Sequence, residues 1–348
     1  MFGVSVGKIS AVAVTNQNPI RVAVLGTGSL GQHHARLYAE MAAAGVVTFA
    51  GVFDARPEAA RTFAEKFNVR AFNSIEEAAE ASDALNIVTP TTTHFSIAKT
   101  LLERGKHLLI EKPMTDDMAQ ARELVELARR RGCLIQVGHI ERFNPAFQFL
   151  ESMIPAPRLI EAQRLSPHPG RGADVGVVLD LMIHDLDLAL ALAKSPVARV
   201  EAAGLAVLSP SEDIAEARIT FANGCAAHLT ASRVSDERRR TLRVFGDGAA
   251  HSVAVDLRAQ EGFVYRLVPD GETPTAEAVV TSEFAGTKIL RAPAAIAKAE
   301  PLKLELEHFA ACVREQRPPL VDGEAAIRAL ELAFEIRRQI NAQRGGMR

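Results

Sequence analysis

A chain of 348 residues, 48% hydrophobic and 24% charged, is long enough for two domains and can bury a core without disulfides or a structural metal. Its 40 Lys and Arg against 42 Asp and Glu leave a formal net charge of −2, which gives no electrostatic footprint for nucleic acid. The composition excludes collagen, coiled coil and disorder as the main theme; no apolar run approaches the roughly 20 residues of a membrane helix, and Cys133, Cys225 and Cys312 form no CxxC pair.

Residues 1–19 read as a loose extension. Lys8 and the short apolar stretch after it have a faint signal-peptide look, but a strand-like run begins almost at once and no twin arginine is present, so a cytoplasmic protein is expected. From residue 20 to 142 strand and helix signals alternate. The β-branched run Ile20–Leu25 reads as a buried parallel strand, followed by a helix over Leu30–Ala44, a strand over Val47–Phe53 and a helix over Pro57–Phe67 with Pro in its first turn. Strand segments at Val69–Phe72, Ala84–Val88, His107–Ile110 and Leu134–Val137 then alternate with helices at Ser74–Glu80, Thr93–Arg104 and Asp116–Arg131. Ser74 and Glu77 stand at capping-box spacing. The alternation predicts a doubly wound parallel sheet, an α/β dinucleotide-binding domain over residues 20–142.

After Pro145 the rhythm changes. A short helix (Ala146–Met153) and a strand (Leu159–Ser166) lead into a Pro/Gly/Arg-rich loop over 166–174, then a helix over Asp180–Leu192. Val197–Leu208, Ala215–Phe221, Cys225–Ser232 and Arg239–Gly246 read as successive strands, with Asn223-Gly224 as a hairpin turn, and two amphipathic helices (Leu302–Glu315, Glu324–Asn341) close the chain. Strands in a row without helices suit an antiparallel sheet. Residues 143–348 are therefore expected to form a second α/β domain for substrate and oligomer contacts, whose last helices pack back on the first.

The turn after the first strand is Gly26-Thr27-Gly28-Ser29-Leu30-Gly31, a GxGxxG. Alone it is weak; here it follows a strand, opens a helix, and is followed after 23 residues by Asp54 at the end of the second strand, near the usual spacing of about 20. Gly26 permits the tight turn, Gly28 lets the backbone approach a pyrophosphate, Gly31 lets helix and strand pack closely, and the helix N-terminus offers free N–H groups to the phosphate. Asp54 can accept from ribose hydroxyls and would repel a 2′-phosphate, favouring NAD over NADP, although Arg56 nearby pulls the other way. Three more segments stand at carboxyl ends of strands, where ligands bind in open α/β sheets: Thr89-Pro90-Thr91 running to His94, Glu111-Lys112-Pro113, and Gly138-His139-Ile140-Glu141-Arg142-Phe143-Asn144-Pro145. Asp180 and His184 stand four apart, on one face of a helix. No metal is expected: His184, Asp185 and Asp187 do not converge from a helix, and His33-His34 reads as helix surface or a cofactor-adjacent pair.

With GxGxxG at 26–31, EKP at 111–113 and DxxxH at 180–184 in this order and spacing, the sequence resembles the Gfo/Idh/MocA oxidoreductases over essentially residues 20–340. The resemblance implies a Rossmann domain followed by an α/β domain with an open, mostly antiparallel sheet, a nicotinamide cofactor and a sugar-like substrate. It further implies that Lys112 and His184 are catalytic, that Asp180 positions substrate, and that the protein is a homodimer or homotetramer. The chemistry suits these types: an imidazole is a base near neutral pH, and an ammonium stabilises a developing alkoxide. The 138–145 and 175–185 stretches look most like the branch that oxidises the C3 hydroxyl of a UDP-N-acetylhexosamine, on the route to the 3-amino sugar of lipid A. For that substrate, Arg142, Arg164, Arg171 and Arg233 are candidate cations for the diphosphate, with His139, Asn144 and His168 as further contacts. A dehydrogenase of a free sugar or polyol, an NAD-dependent glycosidase and a non-catalytic dinucleotide-binding regulator stay open as alternatives; the intact Lys112, Asp180 and His184 set argues against the regulator.

Overall fold

The computed structural model describes residues 19–168, 175–247, 250–269 and 277–345, so residues 1–18 of the N-terminal extension and Arg171 lie outside the described residues. The first half alternates β1 (Arg21–Leu25), α1 (Gly31–Ala43), β2 (Thr48–Phe53), α2 (Pro57–Phe67), β3 (Arg70–Ala71), α3 (Ile75–Ala81), β4 (Ala84–Ile87), α4 (Thr91–Glu103), β5 (His107–Ile110), α5 (Met118–Arg131) and β6 (Ile135–Val137). The six strands are all parallel, in the order β3-β2-β1-β4-β5-β6. This is the doubly wound order whose carboxyl edge carries a ligand crevice where the strand order reverses, between β1 and β4. Alternation along β1 divides the core: Val22 and Val24 pack with Leu37 and Tyr38 on one face, Ala23 and Leu25 with Leu101 and Leu124 on the other.

Local signals set several boundaries. Ser74 Oγ accepts from Glu77 N at 3.1 Å, while the Glu77 carboxylate reaches Asn73 N, one residue before the position a full capping box uses. Asp117 caps α5 by accepting from Gln120 N, and Gly132 ends it at φ +65°.

The second half runs through a 3-10 turn (Ile140–Phe143), α6 (Pro145–Met153), β7 (Pro157–Leu165), a π-helical turn (Val178–Met182) and α7 (Ile183–Ala193). Eight strands follow: β8 (Val197–Leu205), β9 (Ile214–Phe221), β10 (Ala226–Ser232), β11 (Arg239–Gly246), β12 (Ser252–Asp256), β13 (Glu261–Pro269), β14 (Val279–Phe284) and β15 (Thr287–Pro293). Helices α8 (Pro301–Glu315) and α9 (Gly323–Gly345) end the chain. The second sheet has nine strands, β14-β15-β13-β12-β11-β7-β10-β9-β8. It is larger than the sequence reading, which stopped at Gly246, and its β7–β10 pair is parallel within an otherwise antiparallel sheet. Strands β12–β15 lie beyond that reading: every residue of β14 is exposed, so it has no buried face for a sequence pattern to report, whereas β12 is short and has no exposed residue.

Helix α8 returns to the first sheet. Leu306 and Phe309 are fully buried against the α1 side of that core, each stabilising it by about 1.5–3 kcal/mol. No helix among the described residues is long and apolar enough to cross a membrane.

Candidate active site

The glycine turn after β1 is shaped as its sequence requires. A Cβ on Gly31 would lie 1.9 Å from the Gly26 carbonyl oxygen, and one on Gly26, whose φ is +98°, would lie 2.4 Å from the Val88 carbonyl oxygen. In contrast, a Cβ on Gly28 would meet nothing within 4 Å, and Gly28, Ser29 and Leu30 are exposed. A loop closed behind by two glycines and open in front at a third, at the start of a 13-residue helix, fits a dinucleotide pyrophosphate. Thr27 is turned inward: its N and Oγ1 both donate to Asp54 Oδ2, at 2.8 and 2.7 Å, while Arg56 N donates to Oδ1 at 2.9 Å. Burial works to raise the Asp54 pKa, and these hydrogen bonds overcome it and hold the carboxyl below its ordinary value. Asp54 is thus held as an anion at the tip of β2, and the Arg56 Nε also reaches its Oδ1, at 3.5 Å.

Loops after β4 and β5 bound the crevice on its other side. His94, in the first turn of α4, is buried, and its ring nitrogens lie 2.8 Å from the Thr89 carbonyl oxygen and 3.1 Å from that of Pro113. It ties the two loops together. Pro90 and Thr91 stay at least partly exposed at the α4 N-terminus. Glu111 points down, away from the crevice: Oε1 meets His34 Nε2 at 3.1 Å and Oε2 accepts from Lys112 N at 3.2 Å.

Lys112 reaches across to the second half. Its Nζ donates to the Asp180 carbonyl oxygen at 2.6 Å and lies 3.4 Å from Asp180 Oδ1. The π-helical turn at Val178–Met182 carries Asp180, and such widened turns recur at functional sites. The sequence reading, which started an α-helix at Asp180, did not anticipate it. His184 follows in the first turn of α7. Burial, then the Lys112 ammonium, push its pKa well below the ordinary imidazole value, and its Nδ1 is enclosed with no hydrogen-bond partner among the described residues. His139 packs edge-on to it, ring centroids 6.3 Å apart. The outcome is an ammonium held by Asp180 near an imidazole that is a free base at neutral pH.

The residues expected to meet substrate divide sharply. Lys112, Asp180 and His184 converge. Arg164 does not join them: only 3% of its side chain is exposed, and it donates to Asp185 (3.0 and 2.8 Å) and Glu141 (3.0 Å) inside the core. Arg233 is likewise internal, paired to Asp213 at 2.7 Å. Asn144 is buried; it caps α6 through Ala146 N and donates to the Leu257 carbonyl and Glu141. An unpaired charge or amide cannot stay buried, so these side chains are committed to framework partners. Arg142 turns toward Asp187 (3.7 Å) and lines a separate concavity of about 870 Å³ that includes none of the three converging residues. His168 is half-buried just past β7. Of His33-His34, His33 is exposed, but His34 is fully buried rather than a surface residue. A cation the sequence did not single out is Arg240 on β11, half exposed, 3.5 Å from Glu141, with its charge acting on His184; nothing in its local sequence marks it.

Comparison with known proteins agrees with this geometry. Residues 20–139 match the Oxidoreductase family, NAD-binding Rossmann fold, and residues 154–251 match the GFO/IDH/MocA C-terminal domain. The chain is 37% identical to the UDP-N-acetylglucosamine 3-dehydrogenase of Acidithiobacillus ferrooxidans, over 93% of this chain and 98% of that one. It belongs to the Gfo/Idh/MocA oxidoreductase family. A second relative, the scyllo-inositol 2-dehydrogenase (NAD(+)) of Bacillus subtilis, is 28% identical over 95% of this chain and 96% of that one. A solved structure of the Acidithiobacillus ferrooxidans enzyme superposes with a TM-score of 0.84 at 36% identity, covering 94% of this chain and 99% of that chain. Segments 26–31 and 111–113 fall within the first matched region and 180–184 within the second.

Proposed function

We propose that the protein oxidises the C3 hydroxyl of UDP-N-acetylglucosamine to the ketone with NAD as acceptor. The observation that carries this is the meeting of Lys112, Asp180 and His184 at the carboxyl edge of the parallel sheet; the full-length likeness to a UDP-N-acetylglucosamine 3-dehydrogenase supplies the substrate. The Gly26–Gly31 loop and the start of α1 would hold the pyrophosphate of the dinucleotide, and Asp54 a ribose. The bound dinucleotide supplies the acceptor for the hydrogen that leaves C3 with its bonding pair. The chain supplies the rest. His184, a free base, takes the hydroxyl proton as the C=O bond forms. Lys112, steered by Asp180, donates to the same oxygen and stabilises its developing negative charge. With Arg164 and Arg233 internal, Arg240 is the cation proposed for the diphosphate.

The proposal assigns residues 20–142 to the dinucleotide and 143–348 to substrate and self-association. It places the protein in the cytoplasm as a homo-oligomer whose 3-keto product suits transamination toward a lipid A amino sugar. Nicotinamide reduction followed by absorbance with UDP-N-acetylglucosamine, inositol and glucose tests the assignment, and UDP-N-acetylglucosamine carrying deuterium at C3 should pass the label to the reduced cofactor. Turnover of inositol or glucose with none of the UDP-sugar rejects it in favour of a polyol or free-sugar dehydrogenase.

A further inference from the structure

A file of buried polar groups runs beneath the crevice, outside the three converging residues. The Tyr38 hydroxyl on α1 donates to Asn86 Oδ1 on β4 at 2.9 Å. This turns the Asn86 amide so that its Nδ2 donates to His34 Nδ1 at 3.0 Å. The His34 proton must then sit on Nε2, from which it donates to Glu111 Oε1 at 3.1 Å. Glu111 Oε2 in turn accepts from the backbone N–H of Lys112. Tyr38, Asn86 and His34 are all fully buried, and burial keeps the Tyr38 phenol protonated, so the file has one direction from end to end. The Glu111 carboxylate has a place reserved for it: a Cβ on Gly138 would lie 2.8–2.9 Å from its carboxylate atoms.

We propose that Tyr38, Asn86 and His34 are positioning residues of the reaction: they orient and hold the Glu111 carboxylate, which anchors the Lys112 backbone and so places the ammonium beside Asp180 and the substrate oxygen. The idea rests on the role given to Lys112 above. A carboxylate held by donors on both oxygens keeps one orientation, whereas one that loses a buried donor is free to turn away from the Lys112 backbone. The titratable groups facing Glu111 are His34 from α1, His94 from α4, His139 before the 3-10 turn, Lys112 beside it, and Glu305 from α8. Glu305 has both carboxyl oxygens enclosed without hydrogen-bond partners among the described residues; burial, then the Glu111 charge, push its pKa well above the ordinary value, so it adds no second anion.

The test compares His34→Met with His34→Gln in the full-length protein. The Met side chain fills the space without a donor; the Gln amide can present an N–H near the position of Nε2. His34→Met should lower kcat about tenfold or more, in the range of a lost positioning contact, with KM for NAD within about twofold. His34→Gln should restore kcat. A merely structural role would raise KM for NAD as well as lower kcat. A KM for NAD that rises with the loss of kcat in His34→Met, or a His34→Gln variant no better than His34→Met, overturns the proposal. If the unmodified protein turns over no sugar, the functional reading has failed, and the file is judged instead by nitrogen NMR of histidine-labelled protein. The proton on Nε2 of His34 with Nδ1 accepting is the expected result; a proton on Nδ1 overturns it.

Discussion

Replacing Arg164 by Met separates a framework arginine from a substrate-binding one. The side chain is 3% exposed and makes three charged hydrogen bonds, two to Asp185 and one to Glu141. Met occupies a similar volume and leaves Asp185, 5% exposed, without its cation and Glu141, 6% exposed, with only Arg240 at 3.5 Å. Breaking a buried pair from one side costs about 3–5 kcal/mol, because the stranded charge stays buried. Unfolding entropy near 2.1 cal/mol/K per residue, over 348 residues, amounts to roughly 0.7 kcal/mol/K. The expected fall in melting temperature is therefore about 4–7 °C. Calorimetry or dye-monitored melting reads this directly, and steady-state kinetics should find KM for the UDP-sugar within about twofold of the unmodified value, since Arg164 does not reach the crevice. Adding Glu141→Gln and Asp185→Asn to Arg164→Met should regain part of the loss, because the stranded charges are then gone. A melting temperature unchanged by Arg164→Met, together with a KM raised about tenfold or more, would return Arg164 to the substrate site and refute the reasoning.

His184→Ala should reduce turnover about 10²–10⁴-fold if the imidazole is the base, while reduced-nicotinamide binding followed by fluorescence persists; unchanged turnover removes it from that role. The depressed His184 pKa also has a sign. A lowered imidazole stays a free base as pH falls, so the acid limb of kcat/KM for the unmodified enzyme should lie below the ordinary value of about 6.5. Lys112→Met, by removing a nearby positive charge, should move that limb upward in whatever residual activity it retains; a limb at or above the ordinary value in the unmodified enzyme contradicts the burial argument. Asp54→Ala releases the Thr27 and Arg56 donors and removes the charge that repels a 2′-phosphate. It should relax the NAD preference in paired NAD and NADP kinetics, and an unaltered ratio takes Asp54 out of the ribose site.

Residues whose roles follow from backbone geometry or chain-local spacing were legible in the sequence. The strand–helix alternation, the three glycines of the 26–31 turn, Asp54 at the end of its strand and Ser74 as a cap all act within a few residues of where they stand. The Lys112, Asp180 and His184 set was also legible, through motif order, although the π-helical turn that presents Asp180 carries no comparable signal. Side-chain direction was not. Arg164, Arg233 and Asn144 read as exposed polar residues beside a site, and each is spent on a buried partner 20 to 113 positions away.

Sequence alone thus determined the alternation of strands and helices that builds the parallel sheet and the glycine cradle, because period and turn chemistry are properties of neighbouring residues, while Lys112, Asp180 and His184 were singled out by the family resemblance. Only the tertiary structure decided which arginines lie inside, why His34 and Glu111 face each other across 77 positions, and how many strands the second sheet has. A buried polar group must find its partner wherever the fold brings one, and a strand exposed on both faces is held by its neighbour's backbone rather than by any pattern of its own.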